Sequence, residues 1–470
     1  MCKERINFVL EKYHGKKVVV ISGTVKFEAS ELAHIPTRFP ATTADKLNFI
    51  SRETSDQLMH LVLRLDGQVD FERLQEAFRL SILSEPILLS QFVYRSLRPY
   101  FRREAVDEST GVSHFIESTR VEEELERFIV RPADPCLDPL VQMLLVRHKG
   151  DVICVKINHV VMDAIAARDF GYLLAETYSM LERDSAYRPP INLSGDRGTR
   201  PLTSQFKLKE RLGLMRGFAK GGPLGLDKKS GWTFPYHARG TGGRRMVSRT
   251  ISPKVGEIRE FAKEHDSTIN DVVLASFCRA MFSIIKPDKG APIPFQVQVS
   301  LRSYLPEGRT TALTNLLSAV YPMVEWEDNA GFNDTLQLVK SRMDALKQEK
   351  GAMRTFYTYN ILLKYLPFSI CRRVYHRMTE RGYEGKVLSP LLSNIGVIQP
   401  ERLVFGRTST KHASITTPIA FPGEVTLGFS SFSDRMTFTI GFCEDGTDEK
   451  HVIELLDLIE QDLKAACGTL

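Results

Sequence analysis

Between residues 184 and 245 the sequence stops reading as packed secondary structure. Prolines, glycines and basic residues dominate PPINLSGDRGTRPL, KGGPLGLDKKSGW and RGTGGRR, the composition of a connection rather than of a core element. The break leaves an N-terminal part, 1–183, and a C-terminal part, 246–470, on either side of a linker, 184–245. At 470 residues the chain is too long for one ordinary hydrophobic core, and two core-forming units of roughly 200 residues each are expected. With 43% hydrophobic and 26% charged residues, the chain supplies such cores without disulfide or metal staples. Within the linker, SQFKLKERLGLMRGFAK suits a short basic amphipathic helix. It reads either as a crossover helix packed on one part or as a contact for a membrane surface or a ligand phosphate. The glycines of GTGG, 240–243, precede arginines and no helix, and read as a mobile loop.

Both parts mix strand and helix patterns without the strict alternation of a doubly wound sheet, so an α+β fold is expected. In the first, 17–28 and 57–67 read as strands, 41–53 as a capped turn or short helix. The stretch from 70 to 86 is a helix with Leu74, Ala77, Phe78 and Ile82 on one face. Two apolar runs from 139 flank Lys149-Gly150-Asp151 as a hairpin. A helix follows over 164–181, with Ile165, Phe170, Leu174 and Tyr178 on one side. The second part opens with a strand at 245–251 and a helix at 253–265. Thr268 and Asp271 form a capping box for a helix over 267–285. Strands are expected at 293–306, 389–399, 425–434 and 435–445, the last two as a hairpin. Helices are expected at 332–351, ended by its glycine, and at 451–466.

The net charge of +6 is mild over this length, and no zinc-finger spacing or dense basic tail calls for nucleic acid. Seven scattered cysteines, never spaced as CxxC, fit a reducing compartment. The nearest approach to a metal pair is Cys371 with His376, which reads more simply as two unrelated side chains. No signal-peptide pattern and no stretch of about 18 apolar residues is visible, so a cytoplasmic protein is expected.

Of eleven histidines, His159 alone has an aspartate four positions later, Asp163. Composition produces such a pair about one time in two, so the spacing is weak by itself. Its context is stronger: VICVKI ends as a strand at Asn158-His159, and Asp163 opens a helix, a junction from which a scaffold can hold a side chain over a cleft. The residues alone leave two readings level, a general base or a hydrogen-bonded strand-end histidine beside an N-cap aspartate. There is no GxSxG elbow, no phosphate loop, no HExxH and no GxGxxG after a strand.

The run INHVVMDAIAARDF resembles the HHxxxDG motif of nonribosomal-peptide condensation domains and the HxxxD motif of plant-type and fungal acyltransferases. His159 matches the second histidine and Asp163 the aspartate, while Asn158 and Ala164 depart from the first histidine and the glycine. FPATTADKLNFI, LDGQVDFERLQEAF, STINDVVLAS, VSLRSYLPEGRTTALTN, SPLLSNIG and LGFSSFSDRMTFTIGFCEDG resemble, in order, segments of bacterial wax-ester synthase and alcohol-acyltransferase relatives. The resemblance spans most of the chain.

It implies two chloramphenicol-acetyltransferase-like lobes with mixed sheets flanked by helices and a tunnel between them. His159 would be the general base that takes a proton from a hydroxyl or amine acceptor as it attacks a thioester. Asp163 would be structural, pairing with an arginine; Arg302 is the candidate, with a solvated strand-end arginine as the alternative. Ser393, Asn394, Ser430 and Ser431 are candidate oxyanion or substrate contacts. No bound cofactor is implied: acyl-CoA, or an acyl group on a carrier protein's phosphopantetheine, serves as co-substrate. A monomer acting on small molecules is expected, with peripheral membrane contact open. A stand-alone carrier-dependent condensation domain and a non-catalytic binding member of the fold remain the other readings.

Overall fold

The computed structural model describes residues 7–13, 16–25, 27–103, 111–193, 195, 197–204, 231–305, 307–308, 310–328 and 330–468. Most of SQFKLKERLGLMRGFAK lies outside the described residues.

Two sheets organise the molecule. The larger has eight strands in the order Asn7–Tyr13, Lys16–Val25, Gly111–Glu117, Val141–Arg147, Asp151–Asn158, Leu58–Leu65, Thr408–Ile415 and Val404–Phe405. It is antiparallel except where Gly111–Glu117 runs alongside Val141–Arg147. Its central strands read as near-continuous apolar runs because both faces are covered. Met59, Leu61, Leu63 and Leu65 face a core shared with helices Phe71–Ser84 and Ala164–Arg183. Val62, Val152 and Cys154 face Leu125, Phe128 and Ile129 of helix Val121–Val130.

The second sheet has six strands, in the order Arg244–Lys254, Arg435–Cys443, Thr426–Phe432, Leu391–Ile398, Gln296–Ser300 and Leu317–Val320. Leu391–Ile398 is parallel to both neighbours. Helices Ile269–Ile285 and Glu449–Ala466 pack together over this sheet's core. The capping box forms as the sequence implies: Thr268 Oγ1 accepts from the Asp271 amide, and Asp271 accepts from the Thr268 amide.

The two sheets do not follow the linker. Strand Thr408–Ile415, from the C-terminal part, pairs antiparallel with Leu58–Leu65, bringing Ala413 opposite Leu63 and Ile415 opposite Leu61. Ile398, Leu403 and Phe405 also join the first core. The span 246–470 therefore serves both lobes: the polar strand Thr408–Ile415 adds its backbone hydrogen bonds to the open edge of Leu58–Leu65 and buries Ala413 and Ile415.

Helix Phe332–Gln348 stops before Gly351. Lys350 takes the left-handed turn at φ 53°, and Gly351 opens a further helix, Gly351–Tyr365. A second unforeseen helix, Phe368–Gly385, follows Pro367. The GTGG segment lies against Asp445: a Cβ at Gly242 would stand 2.1 Å from Asp445 Oδ2, and Gly243 has φ +59°, a conformation that glycine alone adopts cheaply.

Candidate active site

Strand Asp151–Asn158 ends in a turn that its own last residue shapes. Asn158, 2% exposed, accepts from the Val160 amide through Oδ1 and from the Val161 amide through its carbonyl, both at 3.1 Å. The His159 amide donates to the Gln57 carbonyl at 2.8 Å. Asp163 then caps helix Ala164–Arg183 by accepting from the Ala166 amide at 2.9 Å. His159 is thus fixed at both ends of a short loop whose apolar side chains, Val160, Val161 and Met162, are fully buried.

Two asparagines hold the imidazole. Asn48, on helix Thr43–Ile50, donates through Nδ2 to the His159 carbonyl at 2.8 Å and to Asn315 Oδ1 at 3.1 Å. Asn315 donates through Nδ2 to the His159 carbonyl at 3.0 Å, the Val160 carbonyl at 3.1 Å and Asp45 Oδ1 at 3.1 Å. His159 Nδ1 lies 3.1 Å from Asn315 Oδ1 and 3.0 Å from Asn48 Nδ2. The two Asn48 amide protons have acceptors elsewhere, and Asn315 Oδ1 can only accept. The consistent assignment puts the proton on Nδ1 and the lone pair on Nε2.

Two ion pairs brace this arrangement. Asp163, fully buried, receives Arg302 Nη1 on Oδ2 at 2.8 Å and Nη2 on Oδ1 at 2.9 Å. Its Oδ2 also accepts from the Leu316 amide at 2.7 Å, next to Asn315. Asp45, fully buried, pairs with Arg197 at 3.1 and 3.2 Å. Arg197 in turn donates to the Val161 carbonyl at 2.6 Å and the Leu313 carbonyl at 3.0 Å. One carboxylate tethers the end of the His159 loop, the other its middle through Asn315 and Arg197.

His159 opens on a cavity of about 270 Å³ walled by both sheets, with Met59 from the first and Gln298, Leu317 and Ser393 from the second. Burial lowers the His159 pKa below the ordinary imidazole value, while nearby carbonyls, Asp163 and Asn315 oppose that shift in part. Glu424 also lines the cavity, and burial pushes its carboxyl up to about 7. Tyr359, on the cavity wall, is pushed up to about 12 for the same reason.

Of the residues singled out in the sequence, the structure brings His159, Asp163 and Arg302 together. Among the four strand candidates, Ser393 lines the cavity. Asn394 is exposed and its Oδ1 accepts from the Gly396 amide at a bulge. Ser430 and Ser431 are buried in strand Thr426–Phe432, away from the cavity wall. Cys371 and His376 go to different partners, the Leu362 carbonyl and Glu53. Sequence reasoning passed over Asn48, Asn315, Asp45, Arg197 and Glu424. Asp45 carried a signal, the Thr42 capping box; the others meet only through folding.

Known structures decide the fold. The first condensation domain of the CDA synthetase superposes with a TM-score of 0.66, covering 92% of this chain and 97% of that one at 16% identity. The chain has the condensation-domain fold. The trichothecene 15-O-acetyltransferase from Fusarium sporotrichioides matches with a TM-score of 0.68 over 98% of this chain and 97% of its own at 13% identity. Polyketide synthase associated protein 5 from Mycobacterium tuberculosis gives 0.60 over 90% and 99% at 14% identity. Residues 315–465 match the model of the WS/DGAT C-terminal domain. No curated protein matches the sequence significantly. The α+β, two-lobed architecture implied by the sequence is the one the chain adopts.

Proposed function

We propose that this protein transfers an acyl group from a thioester donor, coenzyme A being the favoured carrier, to a hydroxyl or amine acceptor, with His159 Nε2 as general base. The observation that carries the reading is the fixed imidazole: Nδ1 is turned to Asn315 Oδ1 while the ring faces a cavity between the sheets. A base needs its lone pair at the substrate side and its other nitrogen occupied. Lowering of the His159 pKa by burial keeps the imidazole neutral, hence basic, at neutral pH.

The step follows from that placement. Nε2 takes the acceptor proton as the acceptor oxygen or nitrogen bonds to the thioester carbonyl carbon. The tetrahedral intermediate collapses by breaking the carbon–sulfur bond, and the imidazolium returns its proton to the departing thiolate. No acyl-enzyme is needed, since holding both reactants supplies much of the acceleration. Asp163, spent on Arg302 and two backbone amides, orients the loop and takes no proton. The likeness to an O-acetyltransferase and a condensation domain, with the WS/DGAT match, supports acyl transfer as the reaction class.

The test is a panel of acyl-CoAs of graded chain length against pooled alcohols and amines, with detection of released thiol. His159→Ala should lower turnover roughly 10²–10⁴-fold. Undiminished thiol release by a variant with native circular dichroism would refute the assignment.

A further inference from the structure

Large apolar side chains left in water are scattered singly on most surfaces. Here eight of the eleven exposed ones among the described residues fall within 94–97 and 362–378. Leu97 is 68% exposed, Tyr365 71%, and Val374 49%. The patch is continuous: the Phe368 amide donates to the Leu97 carbonyl at 3.2 Å and the Ser369 amide to the Ser96 carbonyl at 2.9 Å, so the loop lies against the start of helix Phe368–Gly385.

That helix has two apolar faces. Phe368, Cys371 and Tyr375 pack inward with Ile50 and Leu363. Ile370, Val374 and Met378, spaced one turn apart, form an outward stripe. Basic side chains edge the stripe: Lys364, Arg372, Arg373, Arg377 and Arg381 are all exposed. Glu380 is the one acid between 362 and 381, and it is paired with Arg239. Arg95 and Arg98 add further exposed cations on the loop. An apolar stripe bordered by arginines matches a bilayer interface, where side chains enter the acyl boundary and cations meet anionic headgroups.

The inner side of the same helix pair reaches the cavity. Thr355, Phe356 and Tyr359 from Gly351–Tyr365, and Tyr375 from Phe368–Gly385, line its wall. We propose that the outer face of helices Gly351–Tyr365 and Phe368–Gly385, with loop 94–98, docks on an anionic bilayer surface and sets the cavity one helix thickness from the lipid. The proposal uses none of the residues of the linker's basic stretch and does not depend on the identity of the reaction.

The test is co-sedimentation of the full chain with phosphatidylcholine vesicles and with vesicles carrying about one-third phosphatidylglycerol. Binding should favour the anionic vesicles by roughly tenfold or more and weaken with added salt. Ile370→Asp/Val374→Asp and Arg373→Glu/Arg377→Glu should each cost about tenfold or more in partitioning. All four positions are on the surface, so circular dichroism should stay native. Equal binding to both vesicle types, no binding, or binding untouched by the substitutions overturns the proposal. So does a dimer in size-exclusion chromatography that the Ile370→Asp/Val374→Asp change disperses, which would make the patch a contact between copies.

Discussion

Arg302 meets Asp163 through two parallel hydrogen bonds across 139 positions of sequence, tying the start of helix Ala164–Arg183 to the segment that carries Asn315. Both groups are nearly or fully buried, so removing one leaves an uncompensated charge. Asp163→Ala or Arg302→Ala should cost about 3–5 kcal/mol in urea unfolding. Removing both together should cost less than the sum, as coupled partners do.

Asn315→Ala removes the acceptor facing Nδ1 and two donors to the loop carbonyls. The imidazole can then turn or change tautomer. We expect kcat to fall by up to roughly 10²-fold, the lower range of what a positioned base contributes, with donor KM little changed. Steady-state kinetics with both substrates varied will measure the split.

The acid side of the pH profile follows from burial of His159. Its pKa lies below 6.5, so the basic form persists as pH falls past the usual imidazole midpoint. The acid limb of kcat/KM should therefore have its midpoint below pH 6.5. A midpoint above 6.5 would show that another group sets the limb.

Glu424 gives the opposite dependence on stability. Its carboxyl is raised from 4.5 to about 7, so the folded chain holds a proton that the unfolded chain has already released. Stability from this group is intact below about pH 4.5 and is lost as pH climbs through about 7. Glu424→Gln should therefore be neutral near pH 4 and stabilising above pH 7, by up to about 3 kcal/mol. Urea midpoints of both proteins at acidic and alkaline pH will show whether the curves diverge.

Thr268→Ala deletes the acceptor for the Asp271 amide. It should cost about 1 kcal/mol, read as a lower thermal midpoint with unchanged kinetics.

What was legible in the sequence was local. The capping boxes at Thr42 and Thr268, the hairpin at Lys149-Gly150-Asp151 and the strand-loop-helix junction at His159 each depend on residues a few positions apart. Helices Gly351–Tyr365 and Phe368–Gly385 were not legible. The first is rich in aromatic and β-branched residues, which favour helix weakly, and Pro367 obscures the start of the second; packing supplies what propensity does not. The site divides the same way. His159 and Asp163 share one motif, whereas Asn48 and Asn315 stand 267 positions apart and become neighbours only when the sheets close. The four oxyanion candidates could not be separated in the sequence: neighbouring residues of one strand face opposite sides, and it takes the fold to put Ser393 on the cavity wall and Asn394 at the bulge, where it accepts from the Gly396 amide.

The crossing strand Thr408–Ile415 has a consequence for synthesis. Asp66 and its late partner Ser409 are 343 positions apart, so at 5–20 residues per second a ribosome needs roughly 20–70 s to deliver the second after the first. For that time the nascent first lobe exposes a bare apolar edge beside Leu58–Leu65, open to any other extended chain. Its quality control in the cell is a matter of guarding that edge until residues 408–415 have been made.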